Sequence, residues 1–199
     1  TSFAYAQKTE RSKFIRDTLD TYINRALTNW RIPGAAVCIV KDGNVVMMKG
    51  YGIKELGLNN KVDENTLFMI GSNTKAFTAT ALAMLQTQGK LSLDDKVTKY
   101  LPEFKLNDKY AGQEAIIRDL LCHRIGFRTF QGDFTFYNTD LTREQVIQKM
   151  SLVKAAYPFR TKWGYTNSAF LTAGQIIPKV NGKPWDIFLK ENIFAPLGI

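Results

Sequence analysis

Residues 68–75 read FMIGSNTK, and the sequence changes character within this stretch in a way that predicts the fold. Leu67–Ile70 is an apolar run with the length and composition of a short strand. The residues that follow, Ser72–Gln88, are apolar on nearly every side of a helix, so we expect a helix buried between layers of the protein. Gly89 suits the position just beyond the end of such a helix. The stretch therefore predicts a strand that leads directly into an interior helix.

Upstream of this stretch the sequence predicts one helix and a β-hairpin. Apolar residues recur at helical spacing across Glu10–Trp30, which is typical of an amphipathic helix, and Pro33 breaks the pattern. Two apolar runs, Ala35–Val40 and Val45–Met48, are joined by Lys41–Asn44, whose sequence KDGN is a strong hairpin signal. The first third of the chain is therefore predicted as a helix followed by antiparallel strands.

Downstream of the interior helix the predicted elements are short, joined by polar links and mostly helical. Further helices are predicted over Ile116–His123, Arg143–Val153, Ala169–Val180 and Trp185–Asn192. We assign residues 71–184 to a mainly helical domain, and residues 7–70 together with 185–199 to an incomplete sheet domain. The predicted fold class is α/β of the α+β type, with an antiparallel sheet flanked by helices and a helical insertion domain.

The composition is that of a folded globular protein, and it excludes several kinds of site. The 199 residues are 45% hydrophobic and 23% charged, and no apolar run approaches the ~18–20 residues of a membrane helix. One histidine, His123, and two distant cysteines, Cys38 and Cys122, cannot form a zinc cluster, and the glycine-rich loops that bind phosphate are absent. We expect no metal and no cofactor, with a carboxylate-only site for Mg²⁺ or Ca²⁺ as the alternative, although no EF-hand pattern is present. We also expect two buried free thiols rather than a disulfide.

The net charge of +9 is spread along the chain, with 27 basic against 18 acidic residues. A segment that binds nucleic acid carries its lysines and arginines close together. We therefore expect a solvated surface and no nucleic-acid partner. The alternative, a nucleic-acid binder, predicts DNA binding that weakens steeply with salt.

Near the N-terminus, Ala4-Tyr5-Ala6 has the small-x-small form of a signal-peptidase site, with Gln7 as the first mature residue. Residues 1–6 are therefore predicted to be the remnant of a signal peptide. On that prediction the protein is exported and is periplasmic or extracellular. A chance Ala-x-Ala sequence is the alternative.

Ser72 and Lys75 lie three residues apart at the start of the predicted interior helix, and therefore on one face of it. The free N–H groups and the dipole at a helix N-terminus stabilise a developing oxyanion at Ser72. A lysine that is partly removed from water can take the proton of the serine. The alternative is a serine cap with an exposed lysine. It is weakened because Lys75 is the only charged residue within Ser72–Gln88.

Tyr165-Thr166-Asn167 lies between a Trp-Gly pair and the apolar beginning of another predicted helix. A tyrosine hydroxyl can move a proton, and an asparagine amide can hold a carbonyl group or orient a lysine. Taken alone, both residues are also ordinary turn residues. Two residues apart on one loop, Tyr165 and Asn167 can nevertheless both point into one cleft.

In this order the features resemble the penicillin-recognising serine hydrolases, specifically the class C β-lactamase-like branch with its β-lactamases, DD-peptidases, esterases and D-amino-acid peptidases. The resemblance covers nearly all of the 199 residues. It is carried by ordered blocks at Ile32–Val37 (IPGAAV), Phe68–Lys75 (FMIGSNTK), Gly89–Asp95 (GKLSLDD), Leu101–Phe104 (LPEF), Leu120–Phe127 (LLCHRIGF), Tyr165–Ser168 (YTNS) and Ile193–Gly198 (IFAPLG).

The resemblance implies acyl-enzyme chemistry on an amide, ester or peptide substrate, in a peptidase, an esterase or a β-lactamase. It implies that Ser72 attacks the carbonyl carbon. Lys75 and Tyr165 would share the proton transfers, and either of them can be the base. Asn167 would contact the substrate or orient the lysine. His123 lies in a block that is structural in the family, so we expect a structural role for it.

The chain departs from the family after Asn167, where the third family motif, Lys-Thr-Gly or His-x-Gly, has no counterpart. In the family this motif lies on a strand that supplies the second oxyanion N–H and one wall of the cleft. We therefore expect C-terminal strands to be missing from this chain, and a further segment or a second chain to complete the sheet. The alternative function is a non-catalytic binding or scaffold module that kept the fold and lost the motif. A smaller departure is Arg124-Ile125, where Thr-Ser is commoner.

Overall fold

The structure is a computed structural model that describes residues 13–199, except for the side chain of Phe134. The chain divides into two compact units, of which the first ends at Met69 and the second is Ile70–Ile199. The predicted signal-peptide remnant at residues 1–6, and the first residues of the predicted N-terminal helix, lie outside the described residues.

The first unit contains a helix attached to a β-hairpin. Helix α1, Leu19–Trp30, is preceded by helical residues 13–17. Asp20 in α1 accepts hydrogen bonds from Lys49 and Tyr51 of the hairpin, both 2.5 Å long. The predicted N-terminal helix is therefore confirmed over the residues described.

The hairpin consists of strands β1, Gly34–Lys41, and β2, Asn44–Gly52, which pair antiparallel with one irregularity after Ile39. Asp42 and Gly43 form the turn with φ values of 51° and 75°. Two residues of positive φ give the turn whose twist matches that of the strands, which explains the Asp-Gly sequence. The predicted hairpin is confirmed, and within residues 13–199 its two strands are the whole sheet.

The predicted strand at Leu67–Ile70 is wrong. The run is irregular, and Leu67 and Met69 are 96% and 100% exposed. An extended segment becomes a strand only where a neighbouring strand satisfies its backbone N–H and C=O groups. In the described part of the chain no strand pairs with this run.

The second unit is mainly helical. Its α-helices are α2 (Thr74–Thr87), α3 (Lys109–Glu114), α4 (Ile117–Leu121), α5 (Arg143–Lys149), α6 (Asn167–Asn181), α7 (Trp185–Leu189) and α8 (Ala195–Leu197). Short 3-10 turns occupy Gly71–Asn73, Val97–Lys99, Asp133–Thr135 and Met150–Leu152, and a π-helical turn occupies Lys190–Phe194. The helices predicted downstream of the interior helix are therefore confirmed, with ends that shift by a few residues. None of the described helices is both long enough and apolar enough to cross a membrane.

The core of the second unit lies where α2 and α6 contact each other. Leu82 of α2 and Ile176 of α6 are fully buried in one apolar cluster. The opposite face of α2, with Ala76 and Ala83, is exposed. Within the second unit, the prediction of an interior helix therefore holds for one face of α2.

Residues 185–199 lie in the second unit, whereas the sequence analysis assigned them to the sheet domain. Phe188, Leu189 and Ile193 are buried in the core cluster, and α7 contacts α6. Burial of these apolar side chains attaches the segment to the helices of the second unit.

Both thiols are free, but the prediction that they are buried is wrong because both are exposed. Cys38 lies on the face of β1 that also exposes Ala36 and Val40. Cys122 is the residue that ends α4. An apolar neighbourhood in the sequence predicted burial, whereas Cys38 lies on an exposed strand face and Cys122 at an exposed helix end.

Candidate active site

Ser72 and Lys75 lie together at the beginning of α2. Ser72 is exposed in the 3-10 turn Gly71–Asn73, and Lys75 is in the first turn of α2. Residues three apart on a helix face the same way, and Lys75 Nζ donates a hydrogen bond of 3.1 Å to Ser72 Oγ. The hydroxyl is therefore placed where the unpaired N–H groups of a helix N-terminus favour negative charge.

Tyr165 and Asn167 reach the same place from α6. Asn167 is the first residue of α6, and Tyr165 belongs to the loop before it. Tyr165 Oη lies 2.5 Å from Ser72 Oγ, and Asn167 Oδ1 accepts a hydrogen bond of 2.7 Å from Lys75 Nζ. Because α2 and α6 are in contact, the structure brings all four predicted residues into one cluster.

The backbone around Tyr165 is held by the loop that follows α4. The Gly164 N–H donates to the carbonyl of His123 at 2.9 Å, and the Phe130 N–H donates to the carbonyl of Tyr165 at 2.8 Å. Residue 164 has to be glycine, because a Cβ there would lie 1.9 Å from the carbonyl oxygen of Phe127. The Trp-Gly pair in the sequence thus marks a close approach of two backbone segments.

His123 contacts the tyrosine rather than the serine. Its ring stacks on the ring of Tyr165 with centroids 4.7 Å apart, and its Nδ1 accepts a hydrogen bond of 3.0 Å from the Thr166 N–H. The side chain is buried, and this burial, together with the charge of Lys75, lowers the pKa of His123 below 6.5. An unprotonated Nδ1 that accepts a hydrogen bond agrees with that direction. These are the contacts of a supporting residue.

Lys75 supplies the positive charge of the cluster. Its Nζ lies 4.6 Å from the ring centroid of Tyr165 and 5.6 Å from that of Phe170. Burial raises the pKa of Tyr165, but the hydrogen bonds with Lys75 and Ser72 outweigh it, so that the pKa lies below the ordinary 10.0. A lowered pKa makes the phenol a better proton donor. It also increases the fraction of Tyr165 that is deprotonated and can act as a base.

The structure adds Asp133, which the sequence analysis did not identify. Asp133 lies in the 3-10 turn that follows Gly132, is 6% exposed and accepts a hydrogen bond of 2.7 Å from Asn167 Nδ2. Burial raises the pKa of the Asp133 carboxyl, while the bond from Asn167 and the charge of Lys75 oppose that change. In the sequence Asp133 lies between Gly132 and Phe134, which does not point to any particular partner.

A second buried carboxylate anchors the loop that carries His123. Asp119 of α4 is fully buried and accepts hydrogen bonds from Arg124 at 2.5 Å and from Arg160 at 2.7 Å. Burial alone would raise the pKa of Asp119, but the two arginines and the Ile116 N–H lower it. Arg124, which departs from the commoner family sequence, therefore has a structural partner in this chain.

A cavity of about 220 Å³ opens beside Lys75 between α2 and α6. Its walls include Thr78, Gly174 and Trp185, and Trp185 Nε1 donates a hydrogen bond of 3.1 Å to Thr78 Oγ1. Gly174 also lines this space, and a Cβ added there would lie 3.4 Å from the Trp185 ring.

Comparison with known proteins gives relatives over most of the chain. Protein flp of Staphylococcus aureus (strain COL) is 30% identical over 183 residues, which cover 90% of this chain and 36% of that protein. The N-acetylmuramyl-L-alanine amidase of Bacillus subtilis (strain 168) is 31% identical over 183 residues, which cover 83% and 41%. The solved structure of the octameric penicillin-binding protein homologue from Pyrococcus abyssi matches with a TM-score of 0.78 at 30% identity, covering 90% of this chain and 42% of that one.

These relatives are longer than the chain. It spans 36% of the length of protein flp, 41% of the amidase and 34% of a third curated relative. The model of the Beta-lactamase family matches residues 19–199, a range that includes the first hairpin and the whole candidate site. On that match, and with the same fold seen in the penicillin-binding protein homologue, the chain belongs to the beta-lactamase family.

Proposed function

We propose that this protein is a serine hydrolase that forms an acyl-enzyme on an amide or ester substrate, with Ser72 as the nucleophile. The observation that carries the proposal is the double contact at Ser72 Oγ, which lies 3.1 Å from Lys75 Nζ and 2.5 Å from Tyr165 Oη. A serine hydroxyl is a weak nucleophile until a neighbouring base takes its proton. Because two groups can exchange a proton with Oγ, the geometry favours Ser72 as a nucleophile rather than as a helix cap.

Acylation begins when Ser72 Oγ attacks the carbonyl carbon of the substrate and gives its proton to Tyr165 or Lys75. The carbonyl oxygen becomes an oxyanion, for which the Ser72 N–H at the helix N-terminus is a hydrogen-bond donor. Collapse of the tetrahedral intermediate breaks the bond to the leaving amine or alcohol, which takes up the proton. The acyl group is then esterified to Ser72.

Deacylation repeats these steps with water. A water molecule gives a proton to the Lys75–Tyr165 pair and attacks the acyl carbon. The Ser72 oxygen leaves, recovers its proton, and the carboxylic acid is released. Asn167 holds the Lys75 amine in place during both steps through the hydrogen bond to its Oδ1.

For the substrate we propose an amide or ester of the cell envelope, processed outside the cytoplasm. The name of the Bacillus subtilis relative describes an amidase of N-acetylmuramyl-L-alanine. The Ala4-Tyr5-Ala6 sequence supports export. The cavity beside Lys75 has room for a small substituent of a substrate bound at Ser72.

A non-catalytic binding module is the second candidate. Residues 168–199 contain no Lys-Thr-Gly or His-x-Gly, the motif that carries the second oxyanion N–H in the family. Loss of one such donor costs ~10²–10³ in rate. In the hydrolase proposal, a further segment or a second chain supplies this donor and the remaining strands. The two candidates differ at Ser72, because only the hydrolase forms a covalent adduct there.

Intact-mass measurement after treatment with a fluorophosphonate distinguishes the two functions. We expect the wild-type protein to gain the mass of one probe and Ser72→Ala to gain none. Ser168→Ala is the matched control, since Ser168 lies in the same unit but is buried; it should label like the wild type. A folded wild-type protein that gains no mass would favour the binding module. Labelling of Ser72→Ala would place the nucleophile at another residue.

A further inference from the structure

The Asn167 amide can hold Lys75 in only one of its two orientations. In the structure its Oδ1 accepts from Lys75 Nζ and its Nδ2 donates to Asp133 Oδ2, both at 2.7 Å. If the amide were turned over, its NH₂ group would face the lysine Nζ, which now donates to Oδ1, and its oxygen would face the carboxylate. The contact with Lys75 would then pair two donors, and the contact with Asp133 would pair two acceptors. The Asp133 carboxylate therefore selects the orientation that Lys75 needs.

Hydrogen bonds compensate only part of the burial of the Asp133 carboxylate. Asp133 is 6% exposed, and among the described residues no group donates a hydrogen bond to its buried Oδ1. A buried carboxylate oxygen without a partner lowers the stability of the fold. Thr135 in the same turn differs, because its buried hydroxyl donates to the Gly132 carbonyl at 2.8 Å.

We propose that Asp133 is a positioning residue for acyl transfer, which holds the Lys75 amine beside Ser72 by fixing the orientation of the Asn167 amide. The proposal rests on the proposed function of Ser72. Asp133 itself contacts Asn167 and none of the reacting atoms. Its effect should therefore fall on the rate of the chemical step and not on the binding of the substrate.

The kinetic test measures labelling of the full chain by a fluorophosphonate over a range of probe concentrations. Asp133→Ala removes the acceptor and should lower the maximal labelling rate by about 10–100-fold, because the reacting groups lose their alignment, with an unchanged half-saturating concentration. Asp133→Leu keeps the branched shape of the side chain without the acceptor and should behave alike. Asp133→Leu therefore replaces Asp133→Ala in the test if the alanine variant does not fold. Asp133→Asn offers an amide oxygen to Asn167 Nδ2 and should recover the rate.

Thr135→Val is the matched control, since it removes a buried hydrogen bond from the same turn without touching Asn167. It should lose stability and keep the wild-type labelling rate. The proposal is overturned if Asp133→Ala and Asp133→Leu label at the wild-type rate, if Asp133→Asn is as slow as they are, or if Thr135→Val slows labelling equally.

The side-chain amide signals of Asn167 in ¹H–¹⁵N NMR spectra give a readout that does not need a reactive serine. They should shift in Asp133→Ala and Asp133→Leu and stay close to the wild-type positions in Asp133→Asn and Thr135→Val. If the wild-type protein does not label, the proposed function fails, while these signals still decide whether Asp133 orients Asn167. Unchanged signals in Asp133→Ala and Asp133→Leu would overturn the role of Asp133.

Discussion

The candidate site consists of two halves that are held in place in different ways. In the local half, Ser72 and Lys75 are neighbours at the start of one helix, and helical spacing alone puts the amine beside the hydroxyl. In the packed half, Tyr165 and Asn167 are placed by residues distant in the sequence, including the stacked ring of His123. The geometry of the local half therefore depends on one helix, whereas the geometry of the packed half depends on contacts between distant segments of the second unit.

This difference predicts which substitutions change activity alone and which also change stability. A side chain of the local half is partly or fully exposed and can be replaced with little effect on the core. The packed half depends on a close backbone contact at Gly164 and on buried polar groups such as Asp133. We therefore expect substitutions in the local half to change activity alone, and substitutions around the packed half to change activity and stability together.

Lys75→Met should have the largest effect and act on activity alone. Methionine keeps the length of the side chain but cannot exchange a proton with Ser72, so fluorophosphonate labelling should slow by about 10²–10⁴-fold. The melting temperature should change little. Lys90→Met, at an exposed lysine beyond the end of α2, is the control and should label normally. A wild-type rate in Lys75→Met would leave Tyr165 as the base.

Gly164→Ala should lower both activity and stability, because it changes the packed half. The new Cβ would lie 1.9 Å from the Phe127 carbonyl oxygen, so the loop before Tyr165 has to move. We expect the free energy of unfolding to fall by roughly 1–3 kcal/mol and the labelling rate to fall by about 10²-fold. Urea unfolding and labelling kinetics measure the two effects.

Gly182→Ala is the matched control for this substitution. Gly182 has a φ of 76° at the end of α6, with no atom within 4 Å of an added Cβ. It should lose about 1–2 kcal/mol through backbone strain and keep the labelling rate. If both variants label normally, the packed half does not depend on the backbone contact at Gly164.

The same difference explains how much of the molecule could be predicted from its sequence. Patterns that act over a few residues, such as the Asp-Gly turn and the spacing of Ser72 and Lys75, predicted local structure correctly. The strand at Leu67–Ile70 and the burial of Cys38 failed, because strand pairing and burial depend on segments distant in the sequence. Asp133 was missed for the same reason, since only the fold brings it to Asn167.

The stability of the packed half should depend on pH through His123. Burial lowers the pKa of His123 below 6.5, so the folded protein keeps the imidazole neutral at pH values where the unfolded chain is protonated. The unfolded state then binds more protons, and the free energy of unfolding falls as the pH drops from 6.5 toward the folded pKa. Below the folded pKa this contribution is lost completely.

Comparison with His123→Phe isolates this contribution, because His123 is the only histidine in the sequence. Phenylalanine keeps an aromatic ring against Tyr165 but neither titrates nor accepts the Thr166 N–H. We expect the stability difference between the two proteins, measured by urea unfolding, to shrink as the pH falls below neutral. Parallel stability curves would mean that His123 does not titrate differently in the folded state.

Ser168→Ala should have the smallest effect and shows how specific the packed half is. Ser168 follows Asn167 on α6 and is 1% exposed, and none of the described groups bonds to its Oγ. Removing a buried hydroxyl without a partner relieves its desolvation cost, so the free energy of unfolding should stay the same or rise by up to about 1 kcal/mol. Thr172→Val, which removes a satisfied hydroxyl on the same helix, should instead lose about 0.5–1.5 kcal/mol. A larger loss in Ser168→Ala than in Thr172→Val would show that the Ser168 hydroxyl has a partner, and that the polar network around Asn167 extends one residue further along α6.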